Sequence, residues 1–227
     1  MLRQTGNQSA AGPGSQRAPS SVPSIAPLFD SIELAGVTMS FDGNVEIFGE
    51  GEPADYIYKV LNGSVRTYRV LTDGRRQITA FHLPGDVFGL ESAEDHSCSA
   101  EAISQAIVLV VKRSALLAAA DREANVARQL WRVTARALRQ SQDHSMLLVK
   151  SAQERVASFL LEMAGRLSGA SAVELPMTRQ DIADYLGLTI ETVSRTLTQL
   201  QGAATIELPA SRRIVLRNRS ALNRLDS

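Results

Sequence analysis

The stretch from Thr178 to Leu200 restricts the fold of this chain more than any other part of the sequence. Thr178 followed by Asp181 is the pattern of a helix N-cap. Gly187 suits the left-handed turn that ends a helix, and Thr189 can cap a second helix. Apolar residues recur at helical spacing on one side of both segments: Ile182, Ala183, Leu186, Leu188, Val193, Leu197 and Leu200. The pattern predicts a helix-turn-helix, two short helices joined by a tight turn.

The second of these helices has a polar outer face near its N-terminus, because Val193 and Leu197 point inward. That end of a helix-turn-helix enters the major groove of DNA. Arginine can donate two parallel hydrogen bonds to guanine, and glutamate can accept one from the amino group of cytosine. We therefore expect base contacts from Ile190, Glu191, Ser194 and Arg195. The alternative is that Glu191 and Arg195, four positions apart, only form an ion pair along the helix.

A hairpin is predicted directly after these helices, over residues 206–216 with its turn at 209–211. It resembles the wing of a winged helix, with two arginines near its tip. Contacts to the DNA backbone are expected from the wing and from both helix N-termini, through Thr178, Arg179, Gln180, Thr189, Thr192, Arg212 and Arg213.

The segment from Val45 to Val111 has the short alternating pattern of β-strands. Strands are predicted over 56–61, 65–70, 77–83 and 106–111, with turns at Asn62-Gly63, Thr72-Asp73-Gly74 and Pro84-Gly85-Asp86. Strands at this spacing, separated by glycine turns, are typical of a small β-sandwich or barrel.

The pattern becomes helical over residues 121–150, which contain neither proline nor glycine. A stripe with alternating spacings of four and three predicts a coiled-coil seam, and we expect it to form a homodimer interface through Val126, Leu130, Val133, Ala137, Gln140, His144 and Leu147. The alternative is that this stripe packs on the β-domain. Ser151 and Glu154 form a capping-box pattern for a next helix, whose apolar face contains Val156, Phe159, Leu160, Met163 and Leu167 and which Gly169 closes.

Composition excludes several classes of protein. Residues 1–27 are rich in proline, glycine and serine, which predicts a disordered tail and makes export unlikely. No apolar run is long enough to span a membrane, so we expect a cytoplasmic protein. The chain carries 24 basic and 24 acidic side chains, but residues 44–112 have a net charge of −4 and residues 113–150 of +4. A single cysteine, Cys98, excludes an internal disulfide and any metal or iron–sulfur site with several cysteine ligands.

The order of β-domain, long helix and winged helix resembles the CRP/FNR transcription regulators over residues 28–227. The resemblance is carried by Gly51-Glu52, Asn62 to Val65, Pro84 to Gly89, Thr178 to Ala183 and Glu191 to Arg195. It implies an α+β fold: a β-roll of the cyclic-nucleotide-binding, jelly-roll type over 28–120, a dimerisation helix over 121–150 and a winged helix-turn-helix over 151–227. The stretch from Asp184 to Arg195 is most similar to FixK-type regulators of nitrogen fixation and microaerobic metabolism in α-proteobacteria.

The resemblance implies a sequence-specific regulator, not an enzyme, that binds double-stranded DNA as a homodimer. The expected site is a palindrome similar to TTGAT and ATCAA with four base pairs between the half-sites. An activator that contacts RNA polymerase is implied, and exposed loops such as Thr72 to Arg76 are plausible contact points. No membrane partner is expected.

The resemblance implies that the β-roll could hold an effector, and the residues that would bind one can be compared with this sequence. Relatives that bind cyclic nucleotides use a Gly-Glu pair and an Arg-Ser pair, where this chain has Gly89-Leu90 and Cys98-Ser99. Without the arginine, a bound phosphate loses its main charge-assisted contact. Haem ligation by His82, His96 or His144 and a redox role for Cys98 are alternatives with little support in the sequence. We therefore expect no cofactor and no metal; the competing hypothesis is a sensor that binds DNA only when loaded with a cyclic nucleotide or haem.

Overall fold

The N-terminal half of the chain forms two antiparallel sheets of four strands each. The computed structural model describes residues 36–167 and 172–226, so the predicted disordered tail at 1–27 lies outside the described residues. The strands are β1 (Val37–Phe41), β2 (Glu46–Phe48), β3 (Tyr56–Asn62), β4 (Val65–Val70), β5 (Arg76–His82), β6 (Val87–Phe88), β7 (Ser99–Ala102) and β8 (Ala106–Lys112). One sheet has the strand order β1-β8-β3-β6 and the other β2-β7-β4-β5. The four predicted strands correspond to β3, β4, β5 and β8.

The two sheets face each other across an apolar core. Alternate residues of β3, β4 and β8 point inward, and Val60, Val65 and Val108 are fully buried there. The turn at Asn62-Gly63 requires glycine, since Gly63 has a φ of 79° and an added Cβ would collide with the carbonyl oxygen of Gln105. The predicted β-roll is therefore confirmed, with four short strands that the sequence pattern did not reveal.

The helical segment after β8 differs from its prediction as one helix over 121–150. It consists of α1 (Arg113–Arg122) and α2 (Ala124–Leu147), with extended backbone at Glu123 between them. Leu116 on α1 and Val126 on α2 both pack into the same apolar cluster on the β-roll. The chain changes direction at Glu123 because both helices turn an apolar side toward that cluster.

The stripe predicted to form the dimer seam is partly covered by the same chain. Val126 and Val133 are buried and Leu130 is half-buried against the β-roll and α1. Leu147 is buried in the C-terminal core, and His144 is stacked on Tyr185 with 4.1 Å between ring centroids. Ala137 is exposed and Gln140 is half-buried. Within one chain, Val126, Leu130 and Val133 thus pack on the β-roll and α1, and Leu147 packs in the C-terminal core.

The C-terminal half is a compact mixture of helices and short strands. Its elements are α3 (Ala152–Arg166), β9 (Ala172–Glu174), α4 (Arg179–Leu186), α5 (Ile190–Gly202), β10 (Ile206–Glu207), β11 (Arg213–Leu216) and α6 (Arg219–Asp226). The predicted capping box at Ser151 and Glu154 is present at the start of α3, whose inward face is buried. Gly169, predicted to close this helix, lies outside the described residues. The strands form a sheet of order β10-β11-β9.

A membrane-spanning helix is not found in the described ranges, 36–167 and 172–226, because none of their helices is both long and apolar enough.

Candidate nucleic-acid interface

The first helix of the predicted helix-turn-helix, α4, begins at a complete capping box. The hydroxyl of Thr178 accepts the backbone N–H of Asp181 at 3.1 Å, and the Asp181 carboxylate accepts the backbone N–H of Thr178 at 2.9 Å. These bonds satisfy donors that a helix N-terminus leaves without partners. The N-terminus of α4 is therefore fixed, and Arg179 and Gln180 follow it directly.

The turn between α4 and α5 has the predicted chemistry. Gly187 adopts φ 61° and ψ 39°, the left-handed conformation that ends a helix at low cost for glycine. The side-chain oxygen of Thr189 accepts the backbone N–H of Thr192 at 3.2 Å and caps α5. Arg155 on α3 donates to the carbonyl of Leu186 at 2.8 Å. The last turn of α4 is thereby anchored to α3.

Helix α5 presents two chemically different faces. Val193, Leu197 and Leu200 are buried in the C-terminal core. On the other side Ile190, Glu191 and Arg195 are exposed and Ser194 is half-buried. All four predicted base-contacting residues therefore lie on the outer side of one helix end.

Among the described residues, which include both Glu191 and Arg195, these two side chains do not form an ion pair within 4.0 Å. The carboxylate of Glu191 instead interacts with the N-terminus of its own helix. Hydrogen bonds from its own backbone N–H and from Thr189 lower the pKa of this carboxyl, with a smaller contribution from the charge of Arg195. Glu191 is thus held as an acceptor, and the guanidinium of Arg195 is available for another partner.

The residues predicted to contact the DNA backbone surround α5. Thr178, Gln180 and Thr189 are exposed, and Arg179 and Thr192 are half-buried. Arg179 Nη1 donates to the Ser194 hydroxyl at 3.4 Å, which links the start of α4 to the outer face of α5. Helix N-termini favour phosphate through their free N–H groups and dipole.

The predicted wing is formed by β10 and β11, which pair Ile206 with Leu216 and Glu207 with Val215. An ion pair between Arg217 and Glu207 bridges its base at 2.5 Å. Arg212 and Arg213 are exposed and lie next to the turn of the hairpin, at the start of β11. The helix pair and the wing together carry every residue that the sequence analysis selected for DNA contact.

Sequence reasoning missed the side chains that join the β-roll to this interface. Arg66 Nη1 on β4 and Arg76 Nη2 on β5 donate to the same Asp181 oxygen at 3.0 and 2.7 Å. Arg166 on α3 donates to Asp86 at 2.6 Å. These partners lie 80 to 115 positions apart in the sequence, so no local pattern indicates them.

A cavity of about 330 Å³ lies between α2 and the β-roll. Its lining includes the carboxylates of Asp86 and Glu91 and the guanidinium of Arg136, and Asp86 is also paired with Arg166. Glu91 accepts from the backbone N–H and the hydroxyl of Ser97, and the Ser99 hydroxyl accepts the N–H of Glu50. The side chains of Glu91 and Ser99 therefore have hydrogen-bond partners within the β-roll.

Each of the three histidines packs or hydrogen-bonds within the chain, although both ring nitrogens of His96 are buried without a hydrogen-bond partner among the described residues. Burial lowers the pKa of His82 to about 4, and Thr67 Oγ1 lies 3.1 Å from its Nε2. His96 is buried and lies flat on Phe48, with 3.6 Å between ring centroids, and His144 Nε2 lies 2.8 Å from the carbonyl oxygen of Tyr185.

Cys98 has the environment of an unreactive thiol. Burial, with the nearby carboxylates of Glu91 and Glu50, raises the pKa of Cys98 to about 11, so the nucleophilic thiolate is scarce at neutral pH. No cluster of three or more potential metal ligands occurs within the part of the chain that the structure describes.

A β-roll, a long helix and a winged helix-turn-helix with an exposed recognition face define a DNA-binding transcription regulator. Comparison with known proteins identifies the family. The Crp-like helix-turn-helix domain matches residues 154–225, and the cyclic nucleotide-binding domain matches residues 38–123. The chain belongs to the CRP/FNR family of transcription regulators.

Its relatives include FixK proteins. The nitrogen fixation regulation protein FixK of Azorhizobium caulinodans is 52 % identical over 202 residues, which is 86 % of this chain and 82 % of that protein. FixK of Rhizobium meliloti is 40 % identical, covering 79 % of this chain and 82 % of that protein. The solved structure of FixK2 from Bradyrhizobium japonicum superposes with a TM-score of 0.82 at 54 % identity, covering 86 % of this chain and 98 % of that one.

Proposed function

We propose that this protein binds a palindrome similar to TTGAT-N4-ATCAA as a homodimer, and that α5 reads each half-site. The observation that carries the proposal is the outer face of α5, where Glu191 and Arg195 are exposed and not paired with each other. Arg195 suits a guanine edge and Glu191 a cytosine amino group. Ile190 offers an apolar contact and Ser194 a hydroxyl.

Contacts to the DNA backbone are proposed on both sides of α5. The N-termini of α4 and α5, which begin at Thr178 and Thr189, favour phosphate through their helix dipoles, and the side chains of Arg179, Gln180 and Thr192 lie in the first turns of these helices. Arg212 and Arg213 on the wing would reach the phosphates beyond the groove. The winged-helix segment, residues 151–227, has a net charge of only +1, so a few placed groups, not a broad basic field, provide the attraction.

The homodimer is proposed to form on a different face of α2 from the predicted seam. Trp131, Leu138 and Met146 are 74 %, 59 % and 65 % exposed, and Val149 just beyond the helix is also exposed. At 100° per residue Trp131, Leu138 and Met146 lie on one side of the helix, roughly opposite Val126 and Val133. An exposed apolar row of this size is typical of a protein interface. In this arrangement α2 contacts the β-roll with one face and its twin with the other.

We propose that the dimer acts without a cofactor and is controlled by its abundance. The carboxylates in the β-roll cavity and the intrachain bonds of Glu91 and Ser99 support this proposal. We further propose a cytoplasmic activator of nitrogen-fixation or oxygen-limited metabolism genes, with RNA polymerase as partner. The names of the relatives support two parts of this role: two are nitrogen fixation regulation proteins, and a 42 % identical protein of Rhodopseudomonas palustris is a transcriptional activatory protein.

The test is an electrophoretic shift with the palindrome, using Arg195→Ala and, as a matched control on the β-roll, Arg69→Ala. Loss of the bidentate contact should weaken binding by about 1–3 kcal/mol and relax the preference at one G·C pair. Arg69 pairs with Glu50 on the β-roll surface, so its variant should bind like the native protein. Unchanged binding by Arg195→Ala would refute the recognition-helix assignment. A visible chromophore in fresh protein, or binding only with added cyclic nucleotide, would support the sensor hypothesis instead.

A further inference from the structure

A cluster of charged side chains joins the β-roll to the helix-turn-helix. Asp181 is 1 % exposed, and its two carboxylate oxygens have different tasks. One accepts the backbone N–H and the hydroxyl of Thr178, at 2.9 and 2.7 Å. The other accepts from Arg66 at 3.0 Å and from Arg76 at 2.7 Å. A single carboxylate therefore caps α4 and ties it to β4 and β5.

The two arginines are themselves held in place by further partners. Arg66 donates to Glu101 on β7 at 2.5 Å and to the Asn44 side chain at 3.2 Å. Arg76 donates to Asp184 on α4 at 2.9 Å. Because the Arg66 guanidinium is fixed from the β-roll side, it can impose a direction on Asp181.

Packing around the cluster limits movement of α4. Tyr185 on α4 lies 5.0 Å from Phe81 on β5, measured between ring centroids. The Gln77 amide donates to the backbone carbonyl of Tyr185 at 3.3 Å. The contacts place α4, and with it α5, at one angle relative to the β-roll and to the α2 helix that packs on it.

We propose that Arg66 and Arg76 are positioning residues that set the spacing between the two half-sites that the homodimer prefers. This inference rests on the proposed function. An added base pair rotates one half-site by about 35° and shifts it by about 3.4 Å relative to the other. A rigidly held pair of recognition helices fits one spacing, whereas loosely held helices tolerate several.

The test measures fluorescence anisotropy of labelled duplexes that share both half-sites and differ only in a spacer of three, four or five base pairs. The native protein should prefer the four-base-pair spacer by about tenfold or more, as is usual for coupled sites. Arg76→Gln should reduce that preference to about threefold or less. The double variant Arg76→Gln/Arg195→Ala should bind more weakly than Arg76→Gln alone, because α5 still contacts the bases. Arg76→Lys should restore part of the preference because it keeps the charge beside Asp184.

Arg69→Gln is the matched control, since Arg69 is a neighbouring β-roll arginine whose ion pair with Glu50 does not touch the DNA-binding half. It should keep the native spacing preference. Retention of the native preference by folded Arg76→Gln protein would overturn the inference. If circular dichroism shows that this variant does not fold, Asp184→Asn replaces it, because it removes the ion pair between Arg76 and Asp184 from the α4 side. Retention of the native spacing preference by Asp184→Asn would likewise overturn the inference.

A second measurement needs no DNA. Hydrogen exchange of the backbone amides of α4, followed by mass spectrometry, reports how often this helix opens away from the β-roll. Exchange in α4 should be faster in Arg76→Gln than in the native protein or Arg69→Gln, and an equal rate would contradict the inference. If the native protein binds none of the palindromes, the proposed function fails, and the exchange rates still test the positioning role.

Discussion

Replacement of Asp181 by alanine should destabilise the protein much more than replacement of the residue that it caps. Thr178→Ala removes one side-chain cap, which costs about 1 kcal/mol. Asp181→Ala removes the reciprocal cap and also leaves the guanidinium of Arg66, whose side chain is 7 % exposed, without one of its two carboxylates. Truncating one member of a buried ion pair costs about 3–5 kcal/mol when a charge stays buried without any partner, and the lower end, about 3 kcal/mol, applies here because Arg66 keeps Glu101. The difference between the two variants should therefore be about 3 kcal/mol.

Urea unfolding followed by circular dichroism at a fixed protein concentration measures this difference. Both variants should keep the native slope of free energy against denaturant, since neither changes the surface exposed on unfolding. Asp181→Asn is an informative third variant, because an amide oxygen can still accept from Thr178 but lacks the charge that Arg66 and Arg76 require. It should fall nearer to Asp181→Ala than to Thr178→Ala. Equal destabilisation by Asp181→Ala and Thr178→Ala would refute the argument that the arginines depend on this carboxylate.

Four further variants test the proposed dimer interface, the buried histidine and the turn between α4 and α5. Trp131→Asp should shift the protein from dimer to monomer in sedimentation velocity, whereas Val126→Ala should mainly lower the unfolding temperature; a dimeric Trp131→Asp protein would contradict the proposed interface. The free energy of unfolding should fall by up to about 3 kcal/mol as the pH drops from about 6.5 to about 4, because His82 stays neutral in the fold and takes up a proton when unfolded. In a His82→Gln variant the free energy of unfolding should depend less on pH, and the same pH dependence as in the native protein would exclude this cause. Gly187→Ala should cost about 1 kcal/mol through its left-handed backbone alone, because an added Cβ meets only ordinary contacts; a much larger loss in thermal unfolding would point to a clash instead.

The helix-turn-helix could be predicted from the sequence because its determinants are local. Caps at Thr178 and Thr189 bond residues three positions away, and Gly187 specifies its own backbone conformation. The strands β3, β4, β5 and β8 could likewise be predicted from alternation and turn glycines. Strands of two to five residues such as Val37–Phe41 and Val87–Phe88 carry too few positions for a pattern.

Features decided by tertiary packing could not be predicted. The sequence around Glu123 contains no glycine or proline, and the break there follows from the way α1 and α2 pack on the β-roll. The 4–3 stripe on α2 was a correct indication of an amphipathic helix, but periodicity does not say whether a β-roll or a second chain covers it. Arg66 and Arg76 have partners 105 to 115 positions away, so only the folded chain shows that they touch the DNA-binding half.

Two copies of this chain are proposed to read two inverted half-sites through α5. The purified protein, with no ligand added, can be used to select bound sequences from a random DNA pool. We expect enrichment of TTGAT and ATCAA elements separated by four base pairs, and a loss of preference at one G·C position when Arg195→Ala is used. Enrichment of a single unpaired half-site, of an unrelated sequence, or of nothing until a small molecule is added would refute this mode of binding.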